Sequence, residues 1–139
     1  GAIAFIQKTL PAGSKVVSDS DEDLSRSIRA NRMIAYGNWM DSSTPESALV
    51  QQIYAAAYAP ELDFLLGGLA ADYLWLTWNT RFYLQFDDET RSNVRGLSSD
   101  DRPAIYRGKI IYRMWDGSEV PPTYELVYQD QSSKIYKIK

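Results

Sequence analysis

Ala70-Ala71-Asp72-Tyr73-Leu74-Trp75-Leu76-Thr77-Trp78 is the most apolar short run in the chain. It is too short to be a helix of its own, and its residues are aromatic, aliphatic or β-branched. A continuous apolar run of this length behind a Gly67-Gly68 pair predicts a strand buried on both faces. Such strands lie in the middle of a sheet with helices on both sides, so this one is taken as central.

The elements around it alternate. Residues 3–10 carry a rough helical stripe, ended by Pro11-Ala12-Gly13, and residues 15–18 follow as a short strand. Residues 19–23 are acidic and polar, as at a helix start, where carboxylates face the positive end of the dipole. That helix is expected to run to about Asn31, with Leu24 and Ile28 inward, and Met33 to Tyr36 to form the next strand. Ser43 with Glu46 fits a capping box; alternatively Thr44 caps and Pro45 takes the first helical position. A helix to about Tyr58 follows, then another from Pro60-Glu61 with Leu62, Leu65, Leu66 and Leu69 on one face.

Past the central strand, Phe82, Tyr83 and Phe86 suit a short helix. Residues 87–102 hold eight charged side chains and, as aliphatic ones, only Val94 and Leu97. That composition predicts a mobile surface loop and a place where a partner would touch. Residues 109–115 form an amphipathic helix ended by Asp116-Gly117. Residues 124–128 and 134–138 alternate as the two strands of an antiparallel hairpin. Lys134, Lys137 and Lys139 read as charges that guard an edge strand. Alternating strands and helices predict a layered α/β sandwich: a mostly parallel central sheet with a C-terminal antiparallel hairpin at one edge. At 139 residues the chain is expected to be a single α/β domain, 1–139.

Composition excludes several chemistries. The chain has no cysteine and no histidine, which removes disulfides, Cys/His zinc sites and His-dependent triads. A net charge of −3 argues against a nucleic-acid surface. No stretch approaches the roughly 18 apolar residues of a membrane span. The chain opens Gly1-Ala2, without methionine, straight into a helix-like segment. We therefore expect a piece of a longer protein with residual tag residues at its front.

Open parallel sheets bind ligands beyond the C-terminal ends of their strands. The first such turn, residues 17–23, has no glycine to let a pyrophosphate approach, so no dinucleotide or P-loop site is expected. Asp19 and Asp21 resemble the Asp-x-Asp of metal-dependent sugar-nucleotide enzymes, but the same residues suit a plain helix cap. Asp19, Asp21 and Asp23 also imitate a calcium loop, yet Leu24 stands where that loop needs glycine. Residues 87–89 and 100–101 offer paired carboxylates whose separation nothing in the sequence fixes. Among the aromatics, Trp75 reads as core. Trp39 and Trp78 lie just past strand ends and are candidates for stacking on a sugar. The candidate ligand contacts are thus Trp39, Trp78, Asp19 and Asp21, with no catalytic, cofactor or metal residue assigned.

Leu10-Pro11-Ala12-Gly13-Ser14-Lys15-Val16-Val17-Ser18-Asp19, led in by Phe5-Ile6, resembles the opening of a known domain. It is the soluble C-terminal domain of multi-spanning membrane glycosyltransferases, with oligosaccharyltransferase catalytic subunits as the reference. Leu69-Ala70-Ala71-Asp72-Tyr73-Leu74-Trp75-Leu76 resembles that family's central strand, and Ile111-Tyr112-Arg113-Met114-Trp115-Asp116-Gly117 its short helix. Tyr124-Glu125-Leu126-Val127-Tyr128 with Lys134-Ile135-Tyr136-Lys137-Ile138 resembles its closing hairpin. The resemblance implies an extracytoplasmic domain tethered to membrane helices, with any divalent metal held in the membrane part and no cofactor here. It implies as partners the protein's own transmembrane region and a glycan or lipid-linked sugar. The family's Trp-Trp-Asp-Tyr-Gly signature is absent, since 114–117 read Met-Trp-Asp-Gly, so no functional residue is carried over. The expected role is to support or contact substrate rather than carry the chemistry. The alternatives are a free-standing metal-dependent sugar-processing enzyme and a protein-interaction module working through the hairpin edge.

Overall fold

A computed structural model describes residues 1–19, 34–36 and 45–139. The strands are β1 (Lys15–Ser18), β2 (Ile34–Tyr36), β3 (Tyr73–Thr77), β4 (Tyr124–Gln129) and β5 (Ser133–Ile138). The helices are α1 (Ala2–Thr9), α2 (Pro45–Ala55), α3 (Ala59–Gly68), α4 (Thr80–Tyr83), α5 (Asp88–Val94), α6 (Arg102–Tyr106) and α7 (Ile110–Asp116), with a 3-10 turn at Leu84–Phe86. The predicted helix after Asp23, its following Met33, and the Ser43 and Thr44 caps lie outside the described residues.

The five strands form one sheet in the order β2-β1-β3-β5-β4. β1 is parallel to both β2 and β3; β3–β5 and β5–β4 are antiparallel. The fold is therefore the expected α/β sandwich with a hairpin at one edge. β3 is the middle strand, and all five of its residues are buried. Alternation sorts the strands onto two cores. Val16, Tyr73, Trp75 and Ile135 meet Ala2, Ile6 and Leu10 of the α1 segment on one face. Val17, Leu74, Leu76 and Tyr136 meet α2, α3 and α5–α7 on the other.

The hairpin returns in an unexpected order. Its second strand, β5, is the one that pairs with β3, so the sheet edge is β4. Lys134 and Lys137 consequently lie on an interior strand and guard no edge. The edge is instead blunted by a bulge between Leu126 and Tyr128 and by exposed Glu125.

The larger correction concerns residues 87–102, which are not an open loop. Asp87 caps α5: its carboxylate accepts from the Thr90 backbone N–H at 3.3 Å and from the Thr90 hydroxyl at 2.8 Å. Val94 and Thr90 are buried, and Lys109 reaches back to Asp87 at 3.2 Å. Few apolar residues suffice because Val94 lands on the core while most of the charges line the outer face. The helix read as running to Tyr58 stops at Ala55. α3 ends on its glycine pair, at Gly68; Leu69 caps it, and Ala70 then takes the left-handed conformation (φ 52°) in the place glycine favours.

The end of α2 is closed by a basic clamp. The last carbonyls of a helix have no partner within it. Lys109 Nζ donates to Ala55 O at 3.1 Å, the Ile110 N–H to Ala56 O at 3.1 Å, and Arg113 Nη2 to Ala57 O at 2.7 Å. Two positive charges thus sit at the negative end of the dipole. α7 then stops at Gly117, whose φ of 81° a side chain would strain. Tyr136 ties β5 to α7 by donating to Met114 O at 2.7 Å.

Two outcomes follow. Leu76→Asp places an unpaired charge in the middle strand at a cost of several kcal/mol, against a total stability of roughly 5–15 kcal/mol. Its cooperative thermal melt should vanish; a retained melt would remove β3 from the core. Arg113→Met orphans the Ala57 carbonyl and should lower stability in urea by about 1–3 kcal/mol. Arg107→Met, which breaks a pair whose arginine is mostly exposed, should cost under about 1 kcal/mol. Equal effects would show that the clamp contributes nothing of its own.

Candidate functional site

In this sheet the chain leaves β1 toward β2 on one side and has β3 on the other. The C-terminal ends of β1 and β3 therefore flank the point where the strand order reverses, the usual place for a ligand in an open sheet. Asp19 follows β1 there, and Trp78, Asn79 and Thr80 follow β3.

Asp19 is fully buried. One carboxylate oxygen accepts from the Thr77 backbone N–H at 2.7 Å and the other from the Thr80 hydroxyl. Its side chain therefore caps the end of β3 rather than standing open at the strand ends. Burial pushes its carboxyl up from 3.8 to about 7, while the bonds from Thr77 and Thr80 pull the other way. Tyr54 on α2 belongs to the same buried surroundings. Among the described residues its buried hydroxyl has no hydrogen-bond partner, and burial and then the Asp19 charge hold its pKa well above the usual range. Its ring packs edge-on against Tyr83, centroids 5.7 Å apart.

Asp72 is the counterpart at the other end of the same strand pair. Its carboxylate accepts from the Lys15 N–H at 2.9 Å, and its own N–H donates back to Lys15 O at 2.9 Å.

Trp78 is 51% exposed and packs edge-on against Phe82, itself 53% exposed, at 5.9 Å. The Trp78 N–H donates to Ser132 O at 3.1 Å, so the hairpin turn holds the aromatic pair in place. Trp75 is core, as expected, its indole N–H donating to Ser133 Oγ at 3.1 Å. The structure thus brings Asp19 and Trp78 to one end of the sheet. Asp21 and Trp39 lie outside the described residues. Sequence reasoning missed Thr77, Thr80 and Tyr54; the available signal was two threonines three apart where the central strand ends. Among the described residues no group of three or more acidic side chains could hold a metal ion, and no helix is long and apolar enough to cross a membrane.

The raised Asp19 pKa fixes a sign. Below about pH 4 both folded and unfolded chains hold the proton. From there to about pH 7 only the folded chain does, so this group's contribution to stability is lost as pH rises through that window. Asp19→Asn keeps an acceptor for Thr77 and removes the titration. Its melting temperature should fall less than the parent's between about pH 5 and pH 8. Parallel curves for the two proteins would mean that Asp19 titrates like an exposed carboxylate.

No family model matches the chain, and no curated protein does either. Solved structures do. The C-terminal globular domain of oligosaccharyltransferase AfAglB-S2 from Archaeoglobus fulgidus superposes with a TM-score of 0.71 at 13% identity. The match covers 99% of this chain and 94% of that one. A second C-terminal globular domain of oligosaccharyltransferase from the same organism gives 0.56 at 14% identity, covering 99% and 92%. The chain has the fold of the C-terminal globular domain of an archaeal oligosaccharyltransferase, as its sequence resemblance implied.

Proposed function

We propose that this chain is a single α/β domain, 1–139, of an oligosaccharyltransferase-related membrane glycosyltransferase, held at the extracytoplasmic face by that protein's own transmembrane region. The observation that carries the reading is the end-to-end match: 99% of this chain lies on 94% of a C-terminal globular domain from such a protein. A shared fold alone does not carry function. Here the ordered sequence resemblance and the near-complete coverage point the same way.

In this reading the domain supports or contacts substrate while the chemistry, and any divalent metal, belong to the membrane part. Trp78 is the side chain we assign to contact with a glycan or lipid-linked sugar, since an exposed indole at the strand ends offers a flat apolar face. Asp19 positions it from behind by fixing Thr77 and Thr80 on either side. Trp39 and Asp21 are assigned to the same contact from their places in the sequence.

The gene that encodes the chain tests the reading. Its open reading frame should carry several apolar segments of membrane-spanning length before this domain. A frame without them overturns the proposal. In the intact protein, Trp78→Ala should leave the melting temperature nearly unchanged and lower glycosyl transfer, because a half-exposed indole contributes little to the core.

A further inference from the structure

A hollow opens beside the aromatic pair, between α4 and the α6–α7 region, with a volume of about 370 Å³. Arg81, Phe82, Arg102, Tyr106 and Tyr112 form its walls. Two arginines thus line one cavity in a chain of net charge −3. Other arginines nearby are neutralised: Arg107 pairs with Asp116 at 3.1 Å and Arg113 with Glu119 at 3.0 Å. Among the described residues, neither Arg81 nor Arg102 has a carboxylate within ion-pair distance.

Arg102 is held by a backbone bond, while Arg81, which is exposed, rests on an aromatic ring. Among the described residues Arg102 spends only its Nε, which donates to Leu97 O at 3.1 Å, leaving its two terminal nitrogens for another acceptor. Arg81 lies over the Phe82 ring, 5.7 Å from its centroid. A guanidinium fixed by its own backbone or by an aromatic face has lost part of its freedom before a ligand arrives. Its fork of donors matches the oxygens of a phosphate or carboxylate. Tyr106 is fixed too, its hydroxyl accepting from Gln85 at 2.6 Å, and its ring lies 5.4 Å from that of Tyr112. The wall beside the charges is therefore aromatic, and Phe82 continues it outward to Trp78.

We propose that this hollow binds a saccharide carrying an oxyanion, a phosphoryl or carboxylate group, with the anion between Arg81 and Arg102 and the sugar ring against the aromatic wall. The choice of a saccharide rests on the glycosylation reading above; the choice of an oxyanion rests on the two arginines alone.

The test uses the chain as it is, with amide shifts followed by NMR during titration with four probes: glucose 1-phosphate, glucuronate, inorganic phosphate and glucose. Glucose 1-phosphate or glucuronate should shift amides of residues 81–85 and 99–112 at millimolar concentration. The first result assigns a phosphosugar and the second a sugar acid. Arg81→Gln and Arg102→Gln should each weaken the binding by about tenfold. Arg81→Lys should not restore it, because a point charge does not replace the fork. Arg81→Gln touches no backbone bond, so it remains informative if Arg102→Gln unfolds. The proposal is overturned if neither anionic sugar moves these amides, if inorganic phosphate binds as tightly as glucose 1-phosphate, or if folded Arg81→Gln binds unchanged. None of these results bears on the membrane-spanning gene, so failure here leaves the broader reading standing.

Discussion

The fold depends on one constraint: β3 has no polar side. Tyr73 and Trp75 face one way, Leu74 and Leu76 the other, and none can be left in water without losing the main stabilising term. Two cores must therefore form, one under α1 and one under α2 and the helices that follow it. Both backbone edges of β3 need partners as well. β1 takes one edge in parallel and β5 the other in antiparallel. The remaining elements are the means by which the chain returns to cover this strand.

Two aspartates bracket the β1–β3 pair. Asp72 joins the strands where they begin and Asp19 where they end. At the start the aspartate is exposed and bonds to a backbone amide. At the end it is buried, and the cost of that burial appears as a carboxyl held up near 7. The buried end is also where the sheet order reverses, so the group that closes the core also sets the position of Trp78. Phe82 carries the same aromatic surface on to the two-arginine hollow, so the strand ends and the helical insertion share one face.

Much of this is legible in the sequence, and the reasons differ by element. β3 shows itself because a strand buried twice has no polar alternation to dilute. β1 and the hairpin show themselves because each is short and bounded by turn residues. Gly117 announces the end of α7. The insertion over residues 87–102 does not, because counting its charges says nothing of where Thr90 and Val94 land. Asp87 reads as one more surface acid until its bond to the Thr90 amide shows it to be a cap. The order of the hairpin strands is hidden for another reason: alternation gives the faces of a strand and not its neighbours. The site is half legible. An aspartate after β1 and a tryptophan after β3 stand out, while the threonines that fasten the aspartate are ordinary residues at ordinary positions. Arg81 and Arg102 are twenty-one residues apart in sequence, and only the packing of α4 against the α6–α7 region brings them to one wall.

The pairing of β3 with β5 has a consequence for the growing chain. Thr77 meets Ser133 and Tyr73 meets Lys137, so the most apolar strand must wait for a partner about 60 residues downstream. At the pace of synthesis, 5–20 residues per second, that wait is on the order of 3–12 s. During it, β3 offers an open, greasy edge to anything nearby, including a second nascent copy. The charged insertion is what the ribosome makes during this interval. Its acids and arginines are made before the hairpin that completes the sheet, and Val94 of the insertion then joins the roof over the strand.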